Sequence, residues 1–305
     1  MQQVKELRDR TQAGLNDCKS ALDEASGDME KAVEVILKKG LAKSAKRAGA
    51  IAAEGVVTAL VGADGKAGVI VEVNIQTDFA ARNQDFLDFA SKAAQAAFAA
   101  RAGADLGAEK LPGGSGTLEE ARQALVGRLG ENITVRRWER VSIDGPGKVH
   151  AYVHLGGKVG VLLGTRAGSD AATKSPSFEK FVDDCSMQIA AMAPSFLSAS
   201  EVPADAKQKQ SQIFEAQLAE EGKPEKARPK IIEGKLAKWM KEVCLLEQTS
   251  VVESEKTVEE LRAALAKEVV ADVVLARFVR FERGEGIEKP TGDDFAAEVA
   301  KMAGG

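Results

Sequence analysis

Gly65-Lys66-Ala67-Gly68-Val69-Ile70-Val71-Glu72-Val73-Asn74-Ile75-Gln76-Thr77-Asp78-Phe79 decides the fold when set beside Gly157-Lys158-Val159-Gly160-Val161-Leu162-Leu163-Gly164-Thr165-Arg166-Ala167-Gly168-Ser169-Asp170-Ala171. The two stretches align without a gap at an offset of 92 residues. Gly65-Lys66 meets Gly157-Lys158, Gly68-Val69 meets Gly160-Val161, and Asp78 meets Asp170. Further on, Phe86 and Phe89 meet Phe178 and Phe181. A repeat of this kind means two copies of one supersecondary unit. The copies part at Phe79, which faces Ala171. One aromatic kept in one loop marks that loop as the place where the copies diverged in task; simple drift at Ala171 is the other reading.

Working outward, Gly55–Val61 and Lys66–Ile75 flank Gly62-Ala63-Asp64-Gly65, a hairpin signal. In the second strand Val71, Val73 and Ile75 alternate with Glu72, Asn74 and Gln76, which reads as a half-buried strand. A helix follows with Phe86, Phe89, Ala90, Ala93 and Ala97 on one face. The second copy repeats the plan through strands at Ile133–Ile143, Lys148–Leu155 and Val159–Thr165. Its helix, after Pro176, carries Phe178, Phe181, Val182, Cys185, Ile189 and Met192. A glycine-rich loop at 103–116 precedes a connecting helix near Leu118–Leu129. Antiparallel sheets with helices laid on them make an α+β class.

Upstream, residues 4–40 read as three short helices. The first carries Val4, Leu7 and Arg8, and Gln12-Ala13-Gly14 breaks it. The second starts near Asn16. Asp28 caps the third, and Gly40 ends it. Residues 41–54 read as a linker with some helical character. Downstream, Ala204–Glu221 and Glu225–Gln248 are charged and helical, parted by Glu221-Gly222-Lys223-Pro224. Ile213, Leu218, Ile231, Ile232, Leu236, Trp239, Met240 and Val243 give them a narrow apolar seam, so they form an antiparallel helical (coiled-coil) hairpin. A short helix at Val258–Leu265 and a strand at Val269–Phe281 follow. A last helix starts at Asp293 or Asp294 with Phe295, Val299 and Met302. The division is therefore 1–54, N-terminal module and linker; 55–130, first core subdomain; 131–202, second; 203–248, hairpin; 249–284, return to the second; 285–305, C-terminal helical module.

Composition narrows the function. The chain has 305 residues, 44% hydrophobic and 29% charged, which suits two or three soluble modules. A net charge of −4 and 5% aromatics argue against direct nucleic-acid binding and base stacking. Cys18, Cys185 and Cys244 are odd in number and far apart, a reduced cytoplasmic pattern. No export signal or membrane-length apolar run is expected. No phosphate loop or zinc spacing occurs. His150 and His154 stand four residues apart on one strand, about 13 Å, too far to share a metal. No motif supports a catalytic, metal or cofactor site, so none is assigned; a triad assembled in space from distant residues stays open.

The stretch Arg10-Thr11-Gln12-Ala13-Gly14-Leu15-Asn16-Asp17-Cys18-Lys19-Ser20-Ala21-Leu22, taken with Val73-Asn74-Ile75-Gln76-Thr77-Asp78-Phe79-Ala80-Ala81-Arg82-Asn83, resembles the elongation factor Ts family. So do Gly130-Glu131-Asn132-Ile133, Arg136-Arg137 and Arg280-Phe281-Glu282-Arg283-Gly284-Glu285-Gly286-Ile287-Glu288-Lys289. These long motifs run in order over nearly the whole chain. The resemblance implies a ubiquitin-associated-like N-terminal module, a duplicated core, a helical-hairpin insertion and a C-terminal module. It implies a guanine-nucleotide exchange factor for elongation factor Tu, meeting its GDP-bound and nucleotide-free forms in the cytoplasm. Such a factor needs no cofactor or catalytic residue of its own, and homodimerisation stays open.

By the same resemblance, Thr77, Asp78, Phe79 and Ala80 intrude beside the partner's Mg²⁺ region. Phe79 is the wedge and Asp78 its polar guide; a helix cap for Asp78 and core packing for Phe79 are the alternatives. Arg8 and Leu15 match positions that touch the G domain, while Asn16 departs from the apolar residue common there. His154 matches a histidine facing the partner's β-barrel part. Two other classes compete: a non-catalytic adaptor or chaperone-like module, and an α+β enzyme with Cys185 as nucleophile.

Overall fold

The computed structural model describes residues 2–11, 13–114 and 116–288. The described residues form a mixed α and β protein with eleven α-helices and two three-stranded antiparallel sheets. The N-terminal helices are α1 (Gln2–Thr11), α2 (Leu15–Glu24) and α3 (Met29–Arg47). They close around Leu7, Cys18, Ala21, Leu22 and Ala32. Asp28 caps α3 as expected, accepting the Lys31 N–H at 3.1 Å.

Gly40 does not end α3. The helix runs on to Arg47 and takes in half of the expected linker. The reason is a helix crossing: a Cβ on Gly127 would lie 3.1 Å from the Gly40 Cα. The glycine pair lets α3 press against α6 (Leu118–Leu129), backbone on backbone. Glycine at such a contact costs helix propensity and gains approach.

Sheet one is β1 (Glu54–Val61), β2 (Ala67–Ile75) and β3 (Ile133–Ser142), in that order. Sheet two is β4 (Gly147–His154), β5 (Val159–Ala167) and β6 (Val273–Glu282). So β3, placed by sequence at the head of the second copy, pairs with β2 instead: Val71 stands opposite Trp138. The missing strand of the second copy is β6, paired with β5. The ladders even break alike, with a bulge at Glu72/Val73 in one copy and Gly164/Thr165 in the other.

Helix α4 (Asp78–Ala81) and α5 (Gln84–Ala99) follow β2; α7 (Asp170–Thr173) and α8 (Pro176–Met192) follow β5. Phe86 and Phe89 of α5 pack on Val69, Val71 and Val73. Phe178, Phe181 and Ile189 of α8 pack on Val161 and Leu163. The inner faces of the sheets meet through Val57, Ile70, Val149, Leu162 and Phe281. The layers thus run helix, sheet, sheet, helix. Gly68 and Gly160 make the meeting possible: a Cβ there would lie 2.9 Å from Leu162 and 2.5 Å from Val57.

This stacking corrects the half-buried reading of β2, which is buried on both faces, Glu72 and Asn74 included. Glu72 is fully buried and its carboxylate is heavily bonded. It accepts from Arg136 at 3.1 Å, Arg137 at 2.6 Å, Asn74 at 3.0 Å and the Gly284 N–H at 2.7 Å. Burial pushes its pKa up, and the Gly284, Asn74 and Arg137 hydrogen bonds hold it below the ordinary value nonetheless. Arg137 also stacks over Phe281, 4.3 Å from the ring centroid.

The hairpin consists of α9 (Ala204–Glu220) and α10 (Arg228–Val243). Helix α10 begins and ends inside its expected span. Pro229 sits in its first turn, and the chain is extended at Cys244. Leu218 is the buried member of the seam, and Arg228 pairs with Glu215 at 3.1 Å. The hairpin interrupts the repeat. Beyond it the copies align again at an offset of 140: Thr117-Leu118-Glu119-Glu120-Ala121-Arg122 meets Thr257-Val258-Glu259-Glu260-Leu261-Arg262. Both threonines form capping boxes, on α6 and on α11 (Val258–Glu268). Arg122 donates to the Ile133 carbonyl at 2.8 Å and Arg262 to that of Val273 at 2.7 Å. The helix expected from Asp293 or Asp294 lies outside the described residues, as does most of the 285–305 module.

Candidate functional site

Strand β2 ends at Ile75, and Thr77 starts the single turn of α4. The Thr77 Oγ1 accepts the Ala80 N–H at 3.2 Å, so Thr77 is the cap and Asp78 is not. The Asp78 carboxylate instead reaches Arg82 at 3.2 Å on the open surface, where such a pair contributes little. Ala80 and Ala81 bury beneath the turn. Phe79 points the other way and is 86% exposed. Core packing for Phe79 is therefore overturned: Ala80 and Ala81 fill the inward positions of the turn and leave the ring outside.

Such exposure is uncommon for a phenylalanine and is informative because the backbone beneath it is held firmly. The Thr77 N–H donates to the Glu131 Oε2 at 3.0 Å, and its hydroxyl donates to Oε1 at 2.7 Å. The Asn132 N–H donates to the Gln76 side-chain oxygen at 2.7 Å, and the Asn132 amide donates to the Ala50 carbonyl at 2.8 Å. Asn83 caps α5 directly after the turn. Among the residues quoted from 130–133, Glu131 and Asn132 thus brace the wedge. The one local signal for them is the chain-reversing Gly130, with φ 73°, immediately before.

The second copy keeps the turn and loses the wedge. Ser169 caps α7 by accepting the Ala172 N–H at 3.2 Å, and Ala171 stands in the place of Phe79.

The remaining candidates stand on other elements. Arg8 on α1 and Leu15 and Asn16 at the start of α2 are all exposed, Leu15 by 59%. His154 ends β4, exposed, with its Nδ1 2.8 Å from the Tyr152 hydroxyl and the two rings stacked. Leu155 beside it is 70% exposed. Thr77, Asp78, Phe79 and Ala80 stand together on one turn, Leu15 and Asn16 share the start of α2, and Arg8 and His154 lie on two further elements.

The nucleophile reading fails at Cys185. Its thiol is buried among Phe181 and Ile189, and burial pushes its pKa far up, the reverse of activation. Among the described residues no group of His, Cys, Asp and Glu is placed to hold a metal, and no helix is long and apolar enough to cross a membrane.

Fold and site together define a duplicated α+β protein that presents one rigidly mounted aromatic from one copy of its repeat. The family model described as Elongation factor TS matches residues 76–285. The chain is 46% identical to elongation factor Ts of Clostridium perfringens (strain SM101) over 99% of this chain and 98% of that protein. It is 47% identical to that of Clostridium botulinum (strain Alaska E43) over the same shares, and 44% identical to that of Clostridium acetobutylicum over 98% and 96%. The chain belongs to the elongation factor Ts family, a family of translation elongation factors in protein biosynthesis.

Proposed function

We propose that this protein is a guanine-nucleotide exchange factor that binds elongation factor Tu and promotes GDP release by disturbing its Mg²⁺ and phosphate site. The observation that carries the reading is Phe79, a fully presented aromatic on a braced turn. A translational GTPase grips its nucleotide through a phosphate loop and Mg²⁺. A factor that prefers the nucleotide-free form must weaken nucleotide binding by the same factor. It needs an anchor for the rearranged G domain, and an aromatic side chain supplies large area at small entropy cost. Asp78 guides the ring and Ala80 seats the turn. Arg8, Leu15 and Asn16 supply a second contact with the G domain, and His154 a third with the β-barrel part. Chain and partner work in the cytoplasm.

Release of a fluorescent GDP analogue from elongation factor Tu tests this at sub-stoichiometric amounts of the protein. The wild type accelerates release with turnover. Burying a phenylalanine is worth about 2 kcal/mol, so Phe79→Ala slows the accelerated rate about 30-fold. An exposed side chain contributes little to folding, so its melting temperature stays within about 2 °C of the wild type. A folded wild type that leaves release unchanged sinks the proposal and favours an adaptor.

A further inference from the structure

The wedge is held by a carboxylate from the connection between α6 and β3, and that carboxylate exists in one copy only. Thr77 has one hydroxyl proton. It goes to the Glu131 Oε1 at 2.7 Å, which turns the oxygen lone pairs toward the Ala80 N–H at 3.2 Å. Glu131 Oε2 takes the Thr77 N–H at 3.0 Å. Both oxygens of Glu131 therefore bind one residue, two positions before Phe79. A carboxylate gripping a backbone N–H and a hydroxyl together fixes position and rotation at once. Gly130 at φ 73° closes α6 and aims Glu131 back at the turn.

At the offset of 140, Val270 replaces Gly130 and Ala271 replaces Glu131. Alanine has no side-chain acceptor to offer Ser169. The copy that has an alanine in the wedge position also lacks the clamp; the copy that presents a phenylalanine has both.

We infer that Glu131 is a positioning residue for nucleotide exchange, holding Thr77 so that the turn delivers Phe79 in a fixed direction. This rests on the reading of Phe79 as the wedge. Without the clamp the ring still reaches the partner, but the turn samples other orientations, so the loss falls on the maximal rate more than on apparent affinity. Preorganisation of this kind sets how much binding energy is available in the transition state.

The test compares Glu131→Ala, Glu131→Gln, Phe79→Ala and the double variant Glu131→Ala/Phe79→Ala. GDP-analogue release is followed across factor concentrations, and deuterium uptake is measured at residues 76–83. Glu131→Ala lowers the maximal release rate about fivefold with a smaller change in half-saturating concentration. Glu131→Gln, which keeps one acceptor oxygen, recovers part of that loss. The double variant is no slower than Phe79→Ala alone, and uptake in Glu131→Ala rises at 76–83 while the β2 core stays protected. Wild-type rates in Glu131→Ala, a further loss in the double variant, or unchanged uptake at 76–83 overturns the positioning role. If Phe79→Ala releases GDP like the wild type, the wedge reading falls and the positioning role falls with it. If Phe79→Ala is slow and Glu131→Ala is not, only the positioning role falls.

Discussion

Replacing Glu72 by alanine removes the acceptor on which four donors converge. The side chain has no solvent exposure, while Arg136 and Arg137 keep 28% and 31% of theirs. Removing one partner of a buried ion pair costs about 3–5 kcal/mol. The lower end applies here, because both guanidiniums reach water and keep other partners. Arg136 still donates to the Glu285 carbonyl, and Arg137 to the Glu282 carbonyl and the Glu285 carboxylate.

A loss of about 3 kcal/mol lowers the melting temperature by about 6–10 °C in a chain of this size. Acid sensitivity gives an independent check. The folded Glu72 pKa lies below its ordinary value of 4.5, so its stabilisation is present above that value. It is lost as the pH falls through the folded pKa. Thermal melts followed by circular dichroism from pH 7 to pH 3 therefore fall more steeply below about pH 5 in the wild type than in Glu72→Gln. A Glu72→Ala protein within about 0.5 kcal/mol of the wild type, or parallel pH profiles for wild type and Glu72→Gln, refutes the reasoning.

Gly127→Val drives methyl groups into the Gly40 backbone, 3.1 Å from the first added carbon, and costs about 1–3 kcal/mol. Hydrogen exchange shows the loss first in α3, and protection lost first in the β2 core would count against the crossing. Val270 holds φ 50° with its side chain 90% exposed, where its counterpart Gly130 needs no such strain. Val270→Gly raises stability by about 1 kcal/mol in urea titration, and a drop of that size shows that the side chain makes a contact the strain argument ignores.

Much of this architecture was legible because period and repeat are local signals. The glycine and valine matches at an offset of 92 gave the duplicated unit, and they are the residues that bring the sheets together or fill their cores. Phe79 stood out by its absence from the second copy. What escaped has one cause, long-range pairing. The register of β3 depends on β2 more than fifty residues away, so its sheet was assigned to the wrong copy. Glu72 and Asn74 looked solvent-facing, because alternation along one strand does not reveal a second sheet on its polar side. Gly40 read as a helix end, because its neighbour Gly127 comes from another element. The second half of the repeat was visible as Thr117-Leu118-Glu119-Glu120 against Thr257-Val258-Glu259-Glu260, but the hairpin shifts the offset and conceals it. Glu131 belonged to a quoted motif; its partner Thr77 lies 54 positions away.

The pairing of β5 with β6 across the inserted hairpin also sets an order of assembly on the ribosome. Sheet one is complete once β3 has emerged. Sheet two waits for the chain to be made through Glu282, and the Gly284 N–H that completes the Glu72 cage comes later still. At 5–20 residues per second, the interval from the end of β5 to the end of β6 is roughly 6–23 s. Through that interval nascent β5 has one unpaired edge, and the inner face of sheet one lacks part of its cover. The charged helices of the hairpin are made within it, and they are the segment best suited to keep such an intermediate in solution.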